Sequence, residues 1–155
     1  RTQVYYPLTR SLTLLLNGEI AYGDSYGKTT ELPFFERYYA GGAYSVRGYQ
    51  ANSLGARENG RAVGGAVKLV GNVEMIFPAP FLEDSKSFRM SAFFDAGSVY
   101  SGLEQVNTQD LRYSTGVSAI WLSPLGPLTF NLSKPLNKKE GDSTQAFQFS
   151  LGTFF

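Results

Sequence analysis

The fold of this chain can be inferred from its last nine residues, which read Phe147-Gln148-Phe149-Ser150-Leu151-Gly152-Thr153-Phe154-Phe155. Mostly apolar residues at positions 147, 149, 151, 153 and 155 alternate with mostly small or polar residues at positions 148, 150, 152 and 154. Because successive side chains of a β-strand point to opposite faces, this period of two gives the strand one apolar face and one largely polar face. In a transmembrane β-barrel the apolar face contacts lipid and the polar face lines the lumen. We therefore predict a membrane-spanning strand at this end.

The same alternation recurs along the rest of the chain. It predicts strands at about 11–23, 62–77, 88–100, 112–121 and 128–133, and Tyr5 and Tyr6 before Pro7 indicate the tail of a further one. Most of these runs reach the roughly 9 to 11 residues that a tilted strand needs to cross a bilayer. Aromatic residues near strand ends are expected to lie at the level of the lipid headgroups: Phe88, Tyr100, Trp121 and Phe155.

The connections between the predicted strands alternate in length and polarity. Those at 7–10 and 123–126 are short and that at 78–86 is intermediate, whereas those at 24–61, 101–110 and 137–143 are long or polar. Outer-membrane barrels show the same asymmetry, with tight periplasmic turns and longer outer loops. The sequence therefore predicts an all-β fold, an antiparallel transmembrane β-barrel.

Composition excludes several other classes of protein. The chain has 155 residues, 43% of them hydrophobic, yet no run approaches the roughly 20 apolar residues of a spanning helix. A net charge of +1 gives no electrostatic basis for binding nucleic acid. The absence of cysteine and histidine excludes disulfides, thiolate or histidine metal sites and Ser-His-Asp triads. We predict no cofactor, no metal and no enzymatic activity.

The number of predicted strands indicates a partial barrel. Complete bacterial barrels have an even number of strands with both ends in the periplasm, whereas seven strands are predicted here. The chain also begins at Arg1 rather than at a methionine, and an edge strand at residues 2–6 would need a partner in hydrocarbon. We expect residues 1–155 to be the C-terminal part of a single larger barrel domain.

The longest connection, at 24–61, is expected to fold back into the barrel. Its residues 32–39 are dense in apolar and aromatic side chains, which should pack against something other than solvent. Gly41, Gly42 and Gly48 permit the tight turns that such a path requires.

Several sequence blocks carry a family resemblance. Leu32-Pro33-Phe34-Phe35, Tyr39-Ala40-Gly41-Gly42 and Val46-Arg47-Gly48-Tyr49 resemble the signature loop of outer-membrane assembly and two-partner secretion transporters. Three further blocks, at 93–97, 121–128 and 147–152, occur in the order found in BamA-like outer-membrane protein assembly factors. The resemblance covers nearly the whole chain and implies a complete barrel of about 16 strands, within the even-numbered range of bacterial barrels.

The resemblance implies that the loop tip is fixed inside the barrel. Val46, Arg47, Gly48 and Tyr49 form the V-R-G-Y segment, and its arginine is expected to meet Glu74 and Asp95, which match the family's acidic positions. Strand alternation independently directs both carboxylates inward. In the alternative, Arg47 caps a solvated loop and the two acids line a wet channel. A catalytic carboxylate pair is disfavoured because an arginine partner keeps both acids ionised.

The resemblance also implies that the last strand is a lateral gate, which pairs poorly with the first strand and opens sideways. The residues concerned are Phe147, Phe149, Leu151, Gly152 and Phe155. Gly152 interrupts the strand and permits a bend.

The predicted function is the assembly and insertion of outer-membrane β-barrel proteins, in the outer membrane of a Gram-negative bacterium, as a multi-pass protein. The resemblance implies as partners the nascent barrel proteins, outer-membrane lipid, N-terminal barrel strands, periplasmic repeats and accessory lipoproteins. Alternatives are a TamA-like translocation factor, a passive pore or two-partner secretion channel that exports polypeptide, and a soluble β-sandwich.

Overall fold

The computed structural model describes residues 1–23, 37–43, 45–55, 57–59, 61–78, 87–102, 104, 106–138 and 142–151. Seven antiparallel strands form one sheet in the order β1 (Thr2–Pro7), β2 (Thr13–Tyr22), β5 (Val67–Pro78), β6 (Phe88–Tyr100), β7 (Arg112–Ser123), β8 (Gly126–Pro135) and β9 (Phe147–Leu151). Two short strands, β3 (Arg57–Glu58) and β4 (Arg61–Ala62), pair with each other in the long connection between β2 and β5. The predicted all-β antiparallel fold is confirmed.

The sheet is an open meander. Each large strand pairs with its neighbour along the chain, and β1 and β9 form its two outer edges, which do not pair with each other within the described residues. A 3-10 helix at Thr108–Asp110 precedes β7. The described ranges contain no helix with the length and apolar character needed to cross a membrane.

The two faces of the sheet differ as the alternation predicts. On β6, Phe94 is 42% exposed whereas its neighbour Phe93 is 3% exposed. The register aligns Leu16, Val73 and Phe94 in one row across β2, β5 and β6, all on the exposed apolar face. The opposite face carries small or polar side chains that are buried: Ser91, Asp95, Ser114, Ser118, Asn131, Gln148 and Ser150.

Part of the long connection covers this polar face and forms the hydrophobic core. Ala40, Val46, Tyr49 and Leu54 from the connection pack with Val70 of β5 and Val99 of β6. Gly97 of β6 lies under Val46, and a Cβ placed there would come within 2.8 Å of Val46 Cγ2. The connection is therefore seated directly on the inner face of the sheet.

Two details differ from the sequence prediction. A strand starting near residue 62 is wrong, because Arg61 and Ala62 pair with β3 and the chain turns at Gly64, whose φ is +70°. Extended geometry resumes only at Val67. Tyr100 does not lie at the sheet surface: it is buried and its hydroxyl donates to the Asn107 carbonyl at 2.6 Å. The chain beyond β6 folds over it.

Candidate functional site

The V-R-G-Y segment (residues 46–49) is held on the inner face of the sheet by two carboxylates. Arg47 Nε and Nη2 donate to Asp95 Oδ2 and Oδ1, both at 2.7 Å, and Nη1 donates to Glu74 Oε2 at 3.0 Å. The backbone N–H of Arg47 also donates to Asp95 Oδ2, at 3.0 Å. This fork of parallel hydrogen bonds is the strong geometry for an arginine and a carboxylate.

The strand register explains why these groups converge. Glu74 of β5 lies opposite Phe93 of β6, and Asp95 follows Phe93 by two residues, on the same face. The guanidinium carbon of Arg47 lies 3.6 Å from the centre of the Phe93 ring, in a cation–π arrangement. Ser91 donates its hydroxyl hydrogen to Glu74 Oε1. Three inward-facing residues of β6 thus build one socket for the arginine and its acidic partner.

The electrostatics of the socket favour a charged arginine. Arg47 is 8% exposed and Asp95 is 0% exposed, so these charges are shielded from solvent. Burial lowers the pKa of Arg47, but hydrogen bonding to Asp95 and the charges of Asp95 and Glu74 outweigh it, and the pKa is raised overall. A buried charge of this kind requires its partner to remain in place.

Gly48 and Tyr49 are enclosed as tightly as Arg47. Gly48 has a φ of +92°, which only glycine adopts without strain, and it lies against Ser114 of β7 and Ser133 of β8. The Tyr49 side chain is fully buried, and its hydroxyl lies 3.4 Å from both the Tyr113 carbonyl and Asn137 Oδ1. Burial, reinforced by Asp142, raises the pKa of Tyr49 to about 12.

A second polar connection supports the segment from its N-terminal side. Asn72 of β5 donates through Nδ2 to the Ser45 carbonyl at 2.6 Å and accepts from Asn17 Nδ2 at 2.6 Å. The hydrogen bonds therefore run from β2 through β5 to the residue before Val46. Composition alone did not identify Asn72, because its role depends on which residue lies above it.

Comparison with known proteins establishes the family. The family model described as the Omp85 superfamily domain matches residues 1–155. The chain belongs to the Omp85 superfamily. BamA of Neisseria meningitidis serogroup B is 39% identical over 97% of this chain and 23% of its own length. BamA of Nitratidesulfovibrio vulgaris is 33% identical over 98% of this chain and 18% of its own length. Both are named outer membrane protein assembly factors.

Two further comparisons show similarity to a more distant relative and to a solved structure. The SAM50-like protein of Schizosaccharomyces pombe is 26% identical over 95% of this chain and 32% of its own length. A crystal structure of BamA from Haemophilus ducreyi lacking POTRA domains 1–3 superposes with a TM-score of 0.83 and 33% identity, over 95% of this chain and 32% of that one. The chain thus spans less than one third of each of these four proteins.

These matches decide three of the sequence predictions. The resemblance to BamA-like assembly factors is confirmed, and so is the fold class, part of an antiparallel transmembrane β-barrel. The prediction that this Omp85 member is not an enzyme is confirmed by relatives that are assembly factors by name.

The remaining predicted site residues lie in β9 or beyond it. Phe147, Phe149 and Leu151 are exposed on the apolar face of this edge strand. Gly152 and Phe155, predicted as parts of the gate, lie outside the described residues, as do residues 32–36 of the loop signature. In the part of the Omp85 chain that the structure describes, no group of acidic residues is arranged to hold a metal ion.

Sequence reasoning missed the inward-facing residue between the exposed ones of β9. Gln148 Oε1 accepts from the Gly48 N–H at 3.3 Å, and Gln148 Nε2 donates to the Tyr49 carbonyl at 2.8 Å. Alternation places Gln148 on the polar face, but its partners are about a hundred residues earlier in the chain. Only the folded arrangement brings them together.

Proposed function

We propose that residues 1–155 are the C-terminal part of the barrel of an outer-membrane protein assembly factor, which inserts β-barrel proteins into the outer membrane of a Gram-negative bacterium. One observation carries this proposal: the V-R-G-Y segment is seated on inward-facing carboxylates of a lipid-facing sheet, in a chain 39% identical to a protein named as such a factor. The segment acts as a loop lock on the inner face of the sheet.

The edges of the sheet supply the chemistry for insertion. An unpaired strand edge presents backbone N–H and C=O groups that readily add another strand. In hydrocarbon every such group must be satisfied, so a client strand that pairs with the edge avoids a cost of several kcal/mol per group. We infer that β9 is the gate strand on which client strands form, and that Gly152 and Phe155, which lie outside the described residues, belong to the same gate. Insertion then draws on hydrogen bonding and apolar burial, without covalent chemistry.

The loop seated on the inner face favours this proposal over a passive pore. Val46 and Tyr49 are fully buried on the inner face, where a wide channel would leave solvent. A TamA-like translocation factor or a two-partner secretion channel would share the loop, and the experiment below separates them by their cargo. The proposed partners are nascent barrel proteins, outer-membrane lipid, the N-terminal strands that complete the barrel, periplasmic repeats and accessory lipoproteins.

Reconstitution tests the function. The full-length protein, of which these residues are proposed to be the C-terminal part, is placed in liposomes of outer-membrane lipid and given an unfolded β-barrel client. We expect the client to become protease-protected and heat-modifiable in gels faster than in empty liposomes, and Arg47→Ala to slow this acquisition. Transport of a soluble polypeptide into the liposome lumen, with no acceleration of client folding, would instead assign the chain to the exporters.

A further inference from the structure

The loop does more than contact β5 and β6, because its backbone also pairs with the chain that leads into β9. Gln145 N–H donates to the Gly48 carbonyl at 2.8 Å and Gln50 N–H donates to the Ser143 carbonyl at 3.0 Å. Between them, Tyr49 and Thr144 form an antiparallel bridge. Residues 48–50 and 143–145 are therefore a short two-stranded ladder on the inner side of the sheet.

Gln148 extends this ladder with its side chain. Its carboxamide uses both of its ends, accepting from the Gly48 N–H and donating to the Tyr49 carbonyl. Gln148 is 5% exposed, so these bonds are shielded from competing water. A carboxamide that satisfies two consecutive peptide groups holds the backbone in one register, as a neighbouring strand would.

The loop joins distant parts of the sheet through adjacent residues. Arg47 is fixed to Asp95 on β6, and Gly48, the next residue, is fixed to Gln148 on β9. The loop crosses β7 and β8 on the way, where Gly48 rests on Ser114 and Ser133. With a single residue step between the two attachments, displacement at the carboxylates must displace the peptide groups that Gln148 binds.

In the described part of the chain, β9 (Phe147–Leu151) pairs with β8 alone, through five register pairs. Among the described residues its outer edge carries no strand. The loop therefore adds hydrogen bonds to a strand whose described residues pair with the sheet along one edge.

We propose that Gln148 is a positioning residue that fastens β9 to the V-R-G-Y segment, so that the Arg47–Asp95 ion pair on β6 controls the mobility of β9 through the loop. We call this linkage the brace. Its consequence for client insertion depends on the proposed function, in which β9 is the gate strand. The linkage itself is a property of the fold and is tested without a client.

Hydrogen exchange in the full-length protein, in detergent or nanodiscs, tests the brace. Gln148→Leu removes both hydrogen bonds of the carboxamide while keeping a similar side-chain volume. The backbone amides of Gln145 and Gln50 should then exchange at least about fivefold faster, since the loss of one hydrogen bond typically changes an equilibrium constant by a factor of about five. Asp95→Asn should accelerate exchange over residues 143–149 as well, although Asp95 lies three strands away. Ser150→Ala is the matched control, because this buried hydroxyl on the same face of β9 makes no hydrogen bond within the described residues.

A tether provides an independent measurement if Gln148→Leu does not fold. Gln50→Cys with Ser143→Cys places a disulfide across the ladder, and in the Asp95→Asn background it should return exchange at residues 143–149 to the rate of the unmodified protein. The brace would be overturned if Asp95→Asn accelerated amide exchange at residues 46–49 but left exchange at residues 143–149 unchanged.

Client insertion is then measured separately in liposomes with the same variants. Faster exchange in Gln148→Leu together with altered client folding supports both the brace and the gate strand. Faster exchange with unaltered client folding supports the brace and contradicts the assignment of β9 as the gate. Unchanged exchange overturns the brace whatever the insertion assay gives.

Discussion

Arg47 presents its hydrogen-bond donors in a planar fork. The socket binds this fork through two carboxylates at its edges and one aromatic ring against its face. Nε and Nη2 take one carboxylate, Nη1 takes the other, and the face of the guanidinium lies on Phe93. A lysine could place one ammonium group near the acids but could not reproduce the bidentate bond or the stacking. The site therefore depends on the identity of this residue and not only on its charge.

Arg47→Ala is expected to release the loop. It leaves two carboxylates in a buried site without their cation, and removing one partner of a buried pair costs about 3–5 kcal/mol. Limited proteolysis of the folded full-length protein should show new cleavage in the 37–55 region, and Arg47→Lys should give partial cleavage. Arg89→Ala is the matched control, because Arg89 is an exposed arginine on the same strand as Asp95. Equal resistance of Arg47→Ala and the control would contradict the loop lock.

The two acids should contribute unequally. Asp95 accepts three hydrogen bonds from Arg47, including one from the backbone, whereas Glu74 accepts one from Arg47 and one from Ser91. Asp95→Asn should therefore lower the thermal midpoint of loop protection further than Glu74→Gln. The two variants are expected to differ by about 1.5–3 kcal/mol in the free energy of releasing the loop, the range for a hydrogen bond to a charged group. A larger effect of Glu74→Gln would show that the socket is organised around β5 instead.

The strands themselves follow from short-range sequence signals. The period-two alternation predicted the positions of the large strands, because each residue's face is set by its immediate neighbours. It failed near residues 62–67, where Arg61 and Ala62 continue the alternation but pair with β3 instead. It also could not identify Gln148 or Asn72 as loop contacts, since alternation gives the face of a residue but not what lies above that face.

A charged side chain introduced on the apolar face should lower the free energy of unfolding of the sheet. A charged side chain on the polar face, near water, should lower it less. Phe94 lies in the middle of β6 and is exposed on the side assigned to lipid. Phe94→Arg is expected to cost about 2–4 kcal/mol, the value for arginine at the midplane of a barrel. Urea unfolding in lipid vesicles measures this, with Arg89→Ala, near the end of the same strand, as the comparison. A neutral effect of Phe94→Arg would place that face outside the hydrocarbon.

The seven strands together make an incomplete wall, and the loop covers part of its inner face. The sheet has two unpaired edges within its described residues, and the chain spans less than one third of its relatives. The strand count and the family resemblance predicted a partial barrel from sequence. The Arg47 socket was expected from the resemblance and from strand parity, but the ladder between residues 48–50 and 143–145 was not, because it joins two connections that have the strands β5, β6, β7 and β8 between them in the chain.

Lipid contact along one face and a loop along the other are the physical basis of this account. Spin labels at Leu16, Val73, Phe94 and Phe130 in the membrane-embedded full-length protein, read by their collision rates with oxygen and with a water-soluble nickel complex, compare the two faces. The account predicts high oxygen and low nickel accessibility at these four positions, and labels at Ser91 and Ser118 shielded from both. The account would be contradicted if the labels at these four positions were shielded from lipid or collided freely with the nickel complex.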